Sequence, residues 1–245
     1  MLASAPTALP VTSPERSSTW QAAGNRYLLV ERAEPLAADE ARAASVGTDG
    51  VLEVVAVEGA TAEIVIWNPD GSTAEMSGNG TRIAARWLAE RAGRDAVTVR
   101  VGPREISARV LPDGRVEQDV GTVEIGPPET VAGIELVPVS VGNPHAVVRG
   151  DPAEIGLVGP LLETDPRFPE RTNVQVARVD GPGRVTARVW ERGVGETASS
   201  GTSAVAVAAA THGEGEVVVS FPGGDLTVRL DNGRATLIGP AERVS

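Results

Sequence analysis

The chain repeats itself in outline, and that repeat limits what it can fold into. In the first half, Gly24-Asn25 enters an apolar stretch, Ser77-Gly78-Asn79-Gly80 opens a helical pattern, and ISARVLPDGRVEQ turns at Asp113-Gly114. In the second half, Gly142-Asn143 appears, then Ser200-Gly201-Thr202 opens a second helical pattern, then LTVRLDNGRATLI turns at Asn232-Gly233. The offsets are 118 (24 to 142), 123 (77 to 200) and 119 residues (114 to 233). Three landmarks in one order at nearly one spacing predict two similar domains. Chance similarity among glycine-rich turns is the competing explanation.

The stretches between the landmarks read as short strands with few helices. Residues 26–32, 51–58, 62–67, 97–101, 173–179, 184–190 and 216–221 alternate or are rich in Val, the mark of strands. Asp-Gly and Asn-Gly between such runs predict hairpin turns. The two helical patterns differ. Residues 82–93 are amphipathic, with Arg and Glu on an outer face and Gly93 as a C-terminal stop. Residues 202–213 are almost wholly small and apolar, which predicts a helix buried on all sides and wrapped by strands. The first helix is expected to be more exposed on one side.

Three absences narrow the chemistry. The chain has no Cys, so disulfides, thiolate nucleophiles and Cys-bound metals are excluded. It has no Lys, all 22 basic residues being Arg. That rules out a Lys Schiff base to pyridoxal phosphate, a Walker A loop and a Ser–Lys hydrolase. Its two histidines, His145 and His212, stand in unrelated contexts, which speaks against a His-rich metal site. A net charge of −11 disfavours nucleic acid and anionic membrane as partners. No apolar run approaches a membrane span. Residues 1–18 are dominated by Ala, Pro, Ser and Thr and read as a mobile extension rather than a signal peptide, so a cytoplasmic protein is expected.

Both Ser-Gly loops place a capping hydroxyl and a glycine at a helix start, and capping alone explains either one. Two of them acting together would make an anion site, since each offers N–H groups and the positive end of a dipole. A carboxylate suits that site better than a polyphosphate. GVGETA at 193–198 matches a dinucleotide fingerprint in letters only, because no βαβ unit has room to follow it. No G-x-S-x-G elbow marks a Ser hydrolase.

WQAAGNRYLLVE, WNPDGSTAEMSGNGTRIAARWL, VSVGNPHAVV, LLETDPRFPERTNVQ and VWERGVGETASSGTSAVAVAAA follow one another in this chain. These five motifs resemble those of the diaminopimelate epimerase family, from about Trp20 to Pro240. The resemblance implies an α+β fold of two similar domains, each a barrel-like, mostly antiparallel sheet around a central helix, with the active site between them. The boundaries expected are 1–18 for the extension, 19–130 and 131–245 for the domains. It implies a reaction without cofactor or metal: inversion at the α-carbon of an amino acid, LL- to meso-diaminopimelate, in lysine biosynthesis. In the family, one Cys thiolate removes the α-proton and a second Cys donates a proton from the other face.

Carried over by motif, Asn25, Asn68, Asn143, Asn173, Glu191 and Arg192 match the family's substrate-binding residues. Gly78-Asn79 and Gly201-Thr202 match its carboxylate-cradling loops, and His145 matches the His of its GNPH motif. Asn25 and Asn143 could instead only make turns, and Glu191–Arg192 could be a surface pair. The catalytic Cys positions are Ser77 and Ser200 here. A Ser hydroxyl needs a partner base that a thiol does not, and His145 is the one candidate. Arg26 stands where relatives often have Asp, and Ile83 and Val205 where they often have Cys. Four accounts therefore compete: an engineered Cys-to-Ser variant, a slow natural epimerase, a cyclase or isomerase of specialised metabolism on the same fold, and a non-catalytic amino-acid binder. The complete lack of Cys argues against the first. The expected partner is an amino-acid-like or carboxylate small molecule, with a homodimer left open.

Overall fold

The computed structural model describes residues 16–245. Most of the expected N-terminal extension lies outside the described residues, and its last three residues, Arg16–Ser18, already form part of a strand. Two compact units account for the chain. One comprises the described residues up to Ala22, Arg26–Val116 and Ala241–Ser245; the other comprises Ala23–Asn25 and Glu117–Pro240. The division thus falls at Val116/Glu117, where the sequence reading drew it after residue 130.

The first unit runs through β1 (Arg16–Ala22), β2 (Asn25–Glu31), α1 (Ala38–Ala44), β3 (Val51–Glu58), β4 (Thr61–Trp67), β5 (Thr73–Ala74), α2 (Gly78–Ala92), β6 (Ala96–Val101) and β7 (Arg104–Val110). The second runs through β8 (Val116–Thr122), β9 (Glu124–Ile125), β10 (Glu129–Val131), β11 (Ile134–Ser140), β12 (Pro144–Arg149), α3 (Ile155–Glu163), β13 (Asn173–Gly181), β14 (Arg184–Glu191), β15 (Gly195–Thr197), α4 (Gly201–His212), β16 (Gly215–Phe221), β17 (Gly224–Asp231) and β18 (Arg234–Gly239). The final β19 (Glu242–Arg243) pairs with β1 of the first unit.

The expected repeat is visible in the strand pairing. In the first unit β2 lies parallel to β3, β3 antiparallel to β4, β4 parallel to β6, and β6 antiparallel to β7. In the second, β12 lies parallel to β13, β13 antiparallel to β14, β14 parallel to β16, and β16 antiparallel to β17. Each parallel pair needs a crossover, because a tight turn cannot return the chain in the same direction. A short helix supplies the first crossover of each unit (α1, α3) and a long helix the second (α2, α4). The fold is a two-domain, sheet-rich α+β fold with few helices.

The crossovers explain the burial pattern. Along β3, Val51 packs with Val30, Leu36 and Ala41 of the α1 side, whereas Leu52 and Val54 pack with Ile83 and Leu88 of α2. A strand covered on both faces reads as a continuous Val/Leu run rather than a clean alternation. In the second unit, Val174 and Val176 of β13 pack against Ile155 and Leu162 of α3, and Ala177 faces the α4 cluster.

Helix α4 is the hub of its unit, as its composition predicts. Gly201 to Ala209 are buried, and β11, β12, β13, β14, β16, β17 and β18 all touch it. Helix α2 is more exposed on one side than α4, as expected, but over a narrower face than its charges predict. Its outer face is confined to Arg86 and the residues from Glu90 onward, and Arg82, expected on that face, is fully buried. Gly93 closes α2 in the left-handed region at φ 63. Asn232 and Gly233, at φ 50 and 73, form the two-residue turn joining β17 to β18.

Candidate active site

Each unit presents a capped start of its long helix. Ser77 caps α2 from an extended backbone (φ −139, ψ 118), and its Oγ accepts a hydrogen bond from Gly80 N at 3.0 Å. A Cβ at Gly80 would stand 3.0 Å from a Leu52 methyl and 3.3 Å from Ser77 Cβ, so the first turn packs tightly on β3. Ser200 caps α4 from a similar backbone (φ −144, ψ 131), with its Oγ 3.5 Å from both Ser203 N and Thr202 Oγ1. The hydroxyl fills the usual role of a cap, accepting from an amide that the helix itself leaves unpaired.

Around the α2 start, Arg82 folds back onto its own helix. It donates to Gly78 O at 3.0 Å and to Asn79 Oδ1 at 2.5 Å. Burial pushes its guanidinium down to about 10, and the neighbouring Tyr27 acts in the opposite direction. Tyr27 Oη lies 3.1 Å from Ser77 Oγ. Asn68, at the end of β4, donates to Ser72 Oγ at 3.0 Å in the turn that follows.

Around the α4 start, a chain of side chains runs from Asn143 through His145 and Gln175 to Ser203. His145 Nε2 lies 3.0 Å from Asn143 Oδ1, and Gln175 Nε2 lies 3.0 Å from both His145 Nδ1 and Ser203 Oγ. Burial pushes the His145 imidazole down to about 3. The ring is therefore neutral, and because the Gln175 amide donates to Nδ1, the proton sits on Nε2 and is given to Asn143. With both nitrogens engaged, His145 is not a base for either Ser.

The turn after β14 is held from three sides. Asn173 accepts from Arg192 N at 3.0 Å and donates to Pro144 O at 2.9 Å. Glu191 accepts from Thr197 Oγ1 at 2.6 Å, and Arg192 Nη1 reaches Glu170 O at 3.2 Å. Glu163, at the end of α3, accepts from Gly193 N at 2.6 Å, Trp190 Nε1 at 2.7 Å and Arg171 Nη2 at 2.7 Å.

The first unit thus places Ser77, Gly78 and Asn79 at one helix start, with Asn68 on a turn of its own. The second carries Ser200, Gly201, Thr202, Asn143, His145, Asn173, Glu191 and Arg192, together with Asn25. Sequence reasoning missed Tyr27, Arg82, Glu163 and Gln175. The repeat held a signal for one of them: Tyr27 follows Gly24-Asn25 by the same step as His145 follows Gly142-Asn143. Among the described residues, no group of three His, Cys, Asp or Glu side chains could hold a metal ion.

The fold is shared with epimerase and racemase structures. A structure described as a predicted epimerase from Pseudomonas aeruginosa matches with a TM-score of 0.74 at 16% identity, covering 95% of this chain and 98% of that one. A hydroxyproline epimerase from Agrobacterium vitis, solved with bound trans-4-hydroxy-L-proline, matches with a TM-score of 0.69 at 14% identity, covering 94% of this chain and 89% of the other. Sequence takes the assignment further. The family model for diaminopimelate epimerase matches residues 22–131 and 137–244. Diaminopimelate epimerases of Synechococcus sp. (strain JA-2-3B'a(2-13)) and Thermobifida fusca are 37% and 40% identical to the chain. The first alignment covers 92% of this chain and 94% of the relative, the second 82% of each. The protein is an isomerase of the epimerase type. It belongs to the diaminopimelate epimerase family.

Proposed function

We propose that the chain inverts the α-carbon of an amino acid, converting LL- to meso-diaminopimelate without a cofactor, and that it serves lysine biosynthesis in the cytoplasm. Ser77 and Ser200 stand in this reading where the family carries its catalytic Cys pair. The observation that carries it is the repetition of one device: a Ser N-cap on the long helix of each unit, at the same place in the same strand order.

The device suits a carboxylate. Among the described residues, the amides of Gly201 and Thr202 meet no acceptor, as expected at a helix start. Such N–H groups, with the dipole behind them, bind an α-carboxylate and stabilise the negative charge that spreads into it when the α-proton leaves. Gly78-Asn79, at the start of α2, match the family's other carboxylate-cradling loop. Glu191 binds the α-ammonium, Arg192 the distal carboxylate, and Asn25, Asn68, Asn143 and Asn173 the distal end. His145 sets the position of Asn143 and does not itself titrate in the reaction. Hydroxyls in place of thiols make the proton transfers slow, because Ser ionises far less readily than Cys.

Incubation of LL-diaminopimelate with the protein, followed by chiral separation, tests this reading. The meso isomer should accumulate slowly. A ligand that raises the melting temperature and yet yields no meso isomer would leave a binding protein in place of an epimerase.

A further inference from the structure

The two capping serines differ in what lies behind them. Among the described residues, the Ser200 hydroxyl has Thr202 Oγ1 and Ser203 N within reach, both at 3.5 Å. Among the described residues, no phenol, imidazole or carboxylate hydrogen-bonds it. The imidazole that the repeat places in the second unit, His145, is tied to two amide side chains instead. In the first unit the equivalent position is Tyr27, and its Oη lies 3.1 Å from Ser77 Oγ.

The phenol is held firmly. Its ring belongs to the α2 core cluster. The residues on either side of Tyr27 are clamped by Asp49 N to Arg26 O at 2.7 Å, Arg26 N to Asp49 Oδ2 at 2.7 Å and Leu28 N to Gly50 O at 3.1 Å. Gly50, at φ +154, lies against the ring edge: a Cβ there would stand 3.0 Å from Tyr27 Cε1 and 2.4 Å from Trp67 O. Arg82, whose guanidinium is buried, and Tyr27 belong to the same unit and act on each other electrostatically. A cation beside an oxygen that can lose its proton favours the anion.

We propose that Tyr27 is the proton partner of Ser77, receiving the Ser77 hydroxyl proton as Ser77 receives the α-proton of the bound amino acid. This rests on the epimerase reading above. A hydroxyl oxygen has one proton and two lone pairs. With the Tyr27 phenolate taking the proton of Ser77 and Gly80 N–H occupying one lone pair, the second lone pair is left for the substrate. In the step, the α-carbon–hydrogen bond breaks and its electron pair stays on carbon, delocalised into the carboxylate. The α-proton forms a new O–H on Ser77, while the former Ser77 proton forms the Tyr27 O–H. The reverse transfer reprotonates the carbanion and restores the phenolate. Tyr27 thus acts through Ser77, as a positioning and proton-holding residue. Since Ser200 has no such partner, α-proton exchange should outpace inversion.

The test is a double-mutant cycle on α-proton exchange from diaminopimelate in deuterium oxide, using the parent, Y27F, S77C and Y27F/S77C. A lost proton acceptor should lower exchange by about tenfold or more, so Y27F should show that loss with an unchanged thermal shift by diaminopimelate. Exchange by the parent should rise with pH, and the rise should be lost in Y27F. In the S77C background the same Tyr-to-Phe change should alter exchange less than about twofold, because a thiol ionises unaided. Equal losses in both backgrounds would show a structural role and overturn the inference. Undiminished exchange in Y27F would overturn it and leave the epimerase reading standing. No exchange by a parent that binds diaminopimelate would overturn both.

Discussion

Replacing Glu163 by Gln should loosen the turn that carries Glu191 and Arg192. The Glu163 carboxylate is buried and joins three segments: the indole of Trp190 in β14, the amide of Gly193 just after it, and the guanidinium of Arg171 before β13. Glutamine keeps one acceptor oxygen and turns the other into a donor that faces a donor. The loss amounts to one hydrogen bond to a charged group and one donor deprived of its acceptor, about 3 kcal/mol together. Burial alone would raise the Glu163 pKa, but the Gly193 and Trp190 hydrogen bonds and the charge of Arg171 outweigh it and hold the group below its ordinary value. A depressed carboxylate contributes stability that is present above the unfolded value of about 4.3 and is lost as pH falls through the folded value. Urea unfolding of the parent and Glu163→Gln should therefore differ most near pH 7, and the gap should close as the solution is made strongly acid. Ligand affinity should fall with it, since Gly193 N is the neighbour of Arg192. A gap below about 0.5 kcal/mol at pH 7, or one that widens on acidification, would refute the reasoning.

His145 gives a second pH signature. Its folded pKa is depressed to about 3, so the unfolded chain binds the extra proton below about 6.5, and stability should fall by up to about 1.4 kcal/mol per pH unit below that point. His145→Gln should flatten the slope of unfolding free energy between pH 6.5 and 4.5. Ser77→Cys combined with Ser200→Cys should raise meso-diaminopimelate formation; a folded double variant that binds diaminopimelate without gaining activity would show that more than the thiols is missing. Arg192→Ala should weaken binding of amino acids with a distal carboxylate, read by calorimetry, and an unchanged affinity would make Arg192 a structural residue through its bond to Glu170 O.

Much of the fold was legible because its signals are local. The Val-rich run at 51–58 coincides with β3, and Ser-Gly before each helical pattern marks both caps. What escaped depends on tertiary packing. Helix α3 contains Gly156, Gly159 and Pro160, all poor helix formers. Gly159 is there for a close approach, since a Cβ would stand 2.6 Å from the Trp190 ring. Arg82 was read as surface because charge in an amphipathic pattern ordinarily faces water. Instead it turns back to Gly78 O and Asn79 Oδ1, which no periodicity reveals. The candidate site residues were picked out through motifs; Glu163 and Gln175 stand in one of those same motifs, LLETDPRFPERTNVQ, but only the folded chain shows which groups they hydrogen-bond.

The most direct test of the central claim is proton NMR of LL- and meso-diaminopimelate incubated with the protein in deuterium oxide. The account predicts slow loss of the α-proton signal, showing that a hydroxyl at a capped helix start sustains the family's proton abstraction. An intact α-proton signal, in a sample where diaminopimelate raises the melting temperature, would contradict it.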